Sequence, residues 1–159
     1  MTSVTIEPLN AHLAWAKTFL QETWGGTQQV SRGVLYEVLD YPGFVAVVDG
    51  KPQGLATYRV EGLACEVIML HSAIEGIGVS TALIEKVEEQ AREVNCQRLW
   101  LITTNDNIPA IRWYQMRGFS MAAVHTGAIK KSRKLKPGIP KTGYDDIPIR
   151  DEIEFEKLL

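Results

Sequence analysis

The sequence predicts a mixed α/β fold, a largely antiparallel sheet with helices on both faces. Three observations carry this expectation: short alternating or apolar runs of strand length, longer runs with apolar residues at helical spacing, and a β-α-α-β-β-β-α-β-α-β-β order that mixes hairpins with crossovers. With 159 residues, 45% of them hydrophobic, the chain can bury one substantial core, and a single domain over 1–159 is expected.

Each element has its own signal. Val4-Thr5-Ile6 alternates and stops at Pro8, a short first strand. Asn10 is placed to cap a helix carrying Leu13, Ala16, Phe19 and Leu20, which Gly25-Gly26 should end. Val34, Leu35 and Val38 suggest a short helix over 31–39. Residues 44–48 and 53–61 read as strands joined at Asp49-Gly50, a strong hairpin signal, and 65–71 as a fourth strand after Gly62. Val79, Leu83, Val87, Ala91 and Val94 mark one face of a clear helix, with Glu85, Glu88, Glu89, Arg92 and Glu93 on the solvated face and Asn95 at its end. Residues 98–103 form a buried strand. Asn107 caps a further helix that Gly118 ends, and 119–124 is a strand. The connection 126–148 is long, with room for a short helix at its start. Ile149, Ile153 and Phe155 alternate with charges as a closing edge strand, one that could pair across a homodimer.

Composition narrows the function. A net charge of −2 gives no footprint for nucleic acid. No apolar run approaches the ~20 residues that span a bilayer, and the first residues lack the basic and apolar regions of a secretory signal, so a cytoplasmic protein without membrane attachment is expected. Two cysteines, Cys65 and Cys96, build neither a disulfide framework nor a zinc site and read as buried thiols. His12 and His125 have no ligand spacing, and no metal is implied.

The most informative stretch is Glu75-Gly76-Ile77-Gly78-Val79-Ser80, a glycine turn running into a helix. Such a turn presents backbone N–H groups and the positive end of a helix dipole to an anion, unless it is only an ordinary strand-to-helix connection. Ser80 and Thr81 add hydroxyls. A P-loop would need a Gly-Lys-Ser/Thr run and a dinucleotide fold a third glycine; neither is present.

The stretch from Glu75 to Phe119 resembles the GNAT superfamily of N-acetyltransferases. That family reads Gln/Arg-x-x-Gly-x-Gly/Ala at its pyrophosphate turn, where this sequence has Glu75 to Ser80. It often continues with Asn-x-x-Ala, a tyrosine and Gly-Phe, where this sequence has Asn107 to Ala110, Tyr114 and Gly118-Phe119. Glu75 and Ser80 depart from the pattern. The resemblance implies a sheet splayed between its fourth and fifth strands, acetyl-CoA in the cleft with CoA as product, and direct transfer of acetyl to a primary amine. A CoA-binding sensor without transferase activity is the alternative.

On that resemblance, the backbone of Ile68 and Leu70 holds the pantetheine arm, with the Leu70 N–H at the thioester oxygen. Gly76, Ile77, Gly78, Val79, Ser80 and Thr81 hold the pyrophosphate, and Asn107 touches the arm. Tyr114 is the expected acid at the CoA sulfur, since a phenol with pKa near 10 is protonated at neutral pH. Glu66 is the expected base. Four strand residues span about 13 Å, so it would act through water. His71 is the rival base, placed by strict alternation on the opposite face. Trp24, Arg32 and Tyr36 fall where the superfamily covers its acceptor. The cluster from Lys130 to Lys136 is a solvated face or a contact for the 3′-phosphate or an acidic substrate. A small-molecule acceptor is favoured slightly over a protein, because the 126–148 connection can close over the groove.

Overall fold

A computed structural model describes residues 3–159, and all statements below concern these. Seven strands form one sheet: β1 (Val4–Pro8), β4 (Gly43–Val48), β5 (Lys51–Glu61), β6 (Ala64–Ser72), β7 (Arg98–Thr104), β9 (Glu152–Leu158) and β8 (Ser120–His125), in that spatial order. All neighbours are antiparallel except β6 and β7. A separate hairpin pairs β2 (Gln28–Ser31) with β3 (Val34–Glu37). Four helices complete the fold: α1 (Leu13–Trp24), α2 (Val79–Glu93), α3 (Ile108–Met116) and α4 (Ala128–Leu135).

The sheet buries both faces. On one, Leu83, Val87 and Ala91 of α2 and Tyr114 of α3 pack against Ala46, Ala56, Val67, Leu99 and Phe155. On the other, Ala16, Phe19 and Leu20 of α1 pack with Tyr36 and Val38 against Val45, Leu55 and Met69. Stripes of apolar residues at helical spacing against alternating strand residues account for this three-layer arrangement.

Three departures from the sequence reading have physical causes. Asn10 lies in a 3-10 turn (Leu9–His12), and α1 begins at Leu13 with no side-chain cap. Residues 31–39 are not a helix. Arg32 (φ 52°) and Gly33 (φ 76°) both lie in the left-handed region, the geometry of a tight two-residue hairpin turn. Tyr36 and Val38 then go inward at strand periodicity, while Val34 and Leu35 stay exposed. The closing strand is not an edge. β9 pairs with β7 on one side and β8 on the other, so β8 is the edge and β9 has no free side with which to pair across a dimer.

The feature that positions the site is a failure of pairing. β6 and β7 run parallel from Ala64↔Arg98 to Val67↔Leu101, and beyond that the strands diverge. At the same place Thr57 pairs with Met69 and Tyr58 with Val67, leaving Ile68 as a bulge in β6. A bulge turns the following side chains over. Cys65, Val67 and Leu70 thus join the α2 side, while Ile68 and Met69 both enter the α1 cluster and His71 stacks on Phe19 of α1. Glu66, held by the β2 residue Ser31, shares this face with His71. The expected opposition of Glu66 and His71 is therefore reversed, and Glu66 and Leu70 do not share a face.

Candidate active site

Two connected clefts open where β6 and β7 part. The larger, of about 750 Å³, follows the glycine turn and α3, and is lined by Glu75, Gly76, Gly78, Ser80, Thr81, Arg112, Trp113 and Arg117. The smaller, of about 310 Å³, lies on the α1 side and is lined by Trp24, Gln29, Ile68, Met69, Ile102 and Thr103. Leu70, His71, Asn107, Ala110, Tyr114 and Tyr144 border both.

The larger cleft is built for a polyanion. Gly76 (φ 82°) and Gly78 (φ 81°) make the left-handed turns that lead into α2. The Ala82 N–H donates to the Gly78 carbonyl, so the amides of Val79, Ser80 and Thr81 lie in the first turn and have no helical acceptor. Cations stand beside them. The Arg117 guanidinium lies 3.9 Å from the centre of the Trp113 ring and donates to Thr81 Oγ1 at 3.0 and 3.2 Å. Arg112 is exposed on the same rim and makes no ion pair among the described residues. Glu75 is exposed as well. Orphan amides with two guanidinium groups fit a pyrophosphate and a further phosphate. The sequence reading missed both arginines. The signal was present: α3 and its cap carry Arg112 and Arg117 with no acidic residue between Asn107 and Gly118. The basic cluster lies elsewhere. On α4, Lys131 approaches Gly33, and Lys136 donates to the Gln28 carbonyl at 2.9 Å, so this helix braces the β2–β3 hairpin.

At the junction the groups are polar but lightly held. The Ala73 N–H donates to the Gln53 carbonyl at 2.7 Å, and antiparallel alternation then aims the Leu70 amide away from β5, into the gap that β7 leaves. Asn107 caps α3 by accepting from the Ala110 N–H at 3.2 Å. Tyr114 is 9% exposed between Trp113, Phe119 and Phe155, and its hydroxyl has no partner among the described residues. Burial pushes that phenol well above the usual tyrosine range. His71 stacks on Phe19 at 5.3 Å and meets the edge of Trp24 at 5.2 Å, and burial lowers its pKa.

Other expected site residues lie apart from the clefts. Glu66 is 2% exposed and lines neither. Its carboxylate accepts from Ser31 Oγ at 2.5 Å and from Arg59 Nε at 2.8 Å, with the Arg59 guanidinium also over the Tyr36 ring. Tyr36 is buried beneath the hairpin. Arg32 forms the hairpin turn, its N–H donating to the buried Glu152 carboxylate at 3.3 Å. Of the three acceptor candidates only Trp24 lines a cleft, and Tyr144, not foreseen, joins it. Tyr144 is delivered by a close approach. Gly143 sits so near Asp106 that a Cβ there would collide with Asp106 Oδ2, and that carboxylate oxygen accepts the Tyr144 N–H at 3.3 Å. Cys65 is fully buried, and its thiol is pushed up to about 12.

The acetyltransferase (GNAT) family model matches residues 11–119. The chain belongs to the GNAT acetyltransferase family. A Bacillus subtilis relative of undetermined function, YdhI, is 44% identical over 142 residues, covering 89% of each chain. Among solved structures, an IAA acetyltransferase from Bacillus cereus superposes with a TM-score of 0.77 at 18% identity, over 99% of this chain and 100% of that one. A GNAT acetyltransferase from Elizabethkingia anophelis, solved with acetyl-CoA bound, gives 0.76 at 17% identity over 98% of each. This GNAT chain thus shares its whole architecture with these proteins. Among the described residues, no helix is long and apolar enough to cross a membrane.

Proposed function

We propose that this acetyltransferase moves acetyl from acetyl-CoA to a primary amine by direct transfer. The observation that carries the reading is the convergence of the orphan amides of the glycine turn, the Leu70 amide and the Tyr114 hydroxyl on one continuous cleft. The turn, with Arg112 and Arg117, holds the phosphates. The β6 edge that β7 abandons holds the pantetheine arm, and Asn107 borders it. The Leu70 N–H donates to the thioester oxygen as negative charge grows there.

The amine nitrogen attacks the carbonyl carbon; the C–N bond forms as the C–S bond breaks. Tyr114 donates its proton to the departing sulfur, and bulk solvent restores it. The amine must arrive neutral and shed one more proton. His71 is the acceptor for that proton, because it borders both clefts and its lowered pKa keeps the imidazole unprotonated at neutral pH. Glu66 is a less apt base, since Ser31 and Arg59 already occupy its oxygens. Products are an N-acetyl amide and CoA thiol.

Calorimetric titration with acetyl-CoA, with NADH as control, tests the reading. One-site binding of acetyl-CoA alone, lost in Gly78→Glu, together with thiol release in the presence of an amine, is expected. Equal binding of CoA and acetyl-CoA with no turnover on any amine would instead indicate a sensor.

A further inference from the structure

The α1-side cleft is unusual in its chemistry. No aspartate, glutamate, lysine or arginine side chain lines it. Its walls are aliphatic and aromatic, and its polar groups are hydroxyl, amide or imidazole. Of the charged residues close in sequence to its lining, Glu66 is taken up by Ser31 and Arg59, Asp106 accepts from Thr104 Oγ1 and the Tyr144 N–H, and Glu22, Asp145 and Asp146 are exposed and line neither cleft. Two large aromatic side chains face this cleft while remaining substantially open, Trp24 at 47% and Tyr144 at 52% exposure. Trp24 belongs to an aromatic series, Trp15 on Phe19 at 4.8 Å, Phe19 on His71, and His71 against Trp24.

We propose that the acceptor is a small amine whose remaining part is apolar or aromatic and carries no second charge. The inference rests on the acetyl-transfer reading and adds the substrate class. A second ammonium, as in a polyamine or an aminoglycoside, would lose its water with no carboxylate to replace it; a carboxylate, as in an amino acid, would find no cation. An aromatic ring would instead bury apolar area against Trp24 and Tyr144 and stack on them. At about 310 Å³ the cleft lies at the small end of ligand pockets, in keeping with an acceptor as small as an arylalkylamine.

The test uses the full chain with saturating acetyl-CoA and reads thiol release. Phenethylamine should exceed spermidine and free lysine in kcat/KM by about tenfold or more, the factor that separates partners differing by one modest contact. Trp24→Ala should raise the KM for phenethylamine severalfold, while the calorimetric Kd for acetyl-CoA stays unchanged and certifies an intact fold. Intact acetyl-CoA binding with spermidine or lysine preferred, no turnover of phenethylamine, or a Trp24→Ala variant with unaltered KM would each overturn the inference and leave the cofactor site standing. Loss of acetyl-CoA binding in the parent protein would overturn the acetyl-transfer reading, and this inference with it.

Discussion

In the proposed mechanism Tyr114 and His71 act in opposite ways. Burial holds the Tyr114 phenol protonated far above neutral pH, so its proton is in place at every pH below the ordinary value of 10. Tyr114→Phe should lower kcat by roughly a hundredfold, the lower end for lost general-acid catalysis, with little change in acetyl-CoA Kd by calorimetry. Burial also lowers His71 below 6.5, so the imidazole is the neutral base throughout the neutral range. Corrected for the fraction of the amine that is neutral, kcat/KM should therefore fall as pH drops through a value under 6.5, and His71→Gln should remove that acid limb in a pH–rate profile. An unchanged limb would assign the proton to water or to another group. In the proposed phosphate site Arg112 would act through its charge. Arg112→Ala should weaken acetyl-CoA binding about tenfold, as expected for one charge-assisted phosphate contact worth about 1.5 kcal/mol, and the deficit should shrink in high salt.

Single elements owe their positions to a few bonds. The β2–β3 hairpin is tied to the sheet through Ser31, Glu66 and Arg59. Glu66→Ala would leave Arg59 with only the exposed Glu61 as partner and should cost about 2 kcal/mol in urea unfolding, against about 1 kcal/mol for Ser31→Ala. Should Glu66→Ala abolish turnover with its unfolding midpoint intact, the carboxylate would belong to the chemistry after all. The hairpin is also where local sequence was least informative. Val34, Leu35 and Val38 fit a helical face, and only Arg32-Gly33 hinted at a turn, because arginine is an uncommon left-handed residue. The glycine turn, α2 and α3 were legible because caps, glycines and apolar spacing all agreed. The face of His71 was not. Period-two counting fails at a bulge, and Ile68 is an ordinary strand residue whose displacement is set by the diverging neighbour.

For the molecule as a whole, the cleft proposed for the cofactor was readable from Gly76 to Tyr114, one nearly continuous segment, whereas the cleft proposed for the acceptor gathers Trp24, Ile68, Thr103 and Tyr144 from four distant places. Such a site is made by tertiary folding, and local pattern holds little trace of it. Ligand linkage acts at this scale too. At a hundred times its Kd, acetyl-CoA should stabilise the protein by about 2.7 kcal/mol, read as a raised urea midpoint that Gly78→Glu does not show. The insertion of β9 between β7 and β8 has a kinetic consequence. β8 has no other partner strand, so it stays unpaired until residues 152–158 arrive to bridge it to β7. During synthesis on the ribosome the strands from β1 to β7 can pair first, and the sheet then waits at β7 for β9. Pairing of such long sequence separation is slow, so the waiting β8, with Met121 and Val124 outward, is the stretch most open to chaperones or to self-association in the newborn chain.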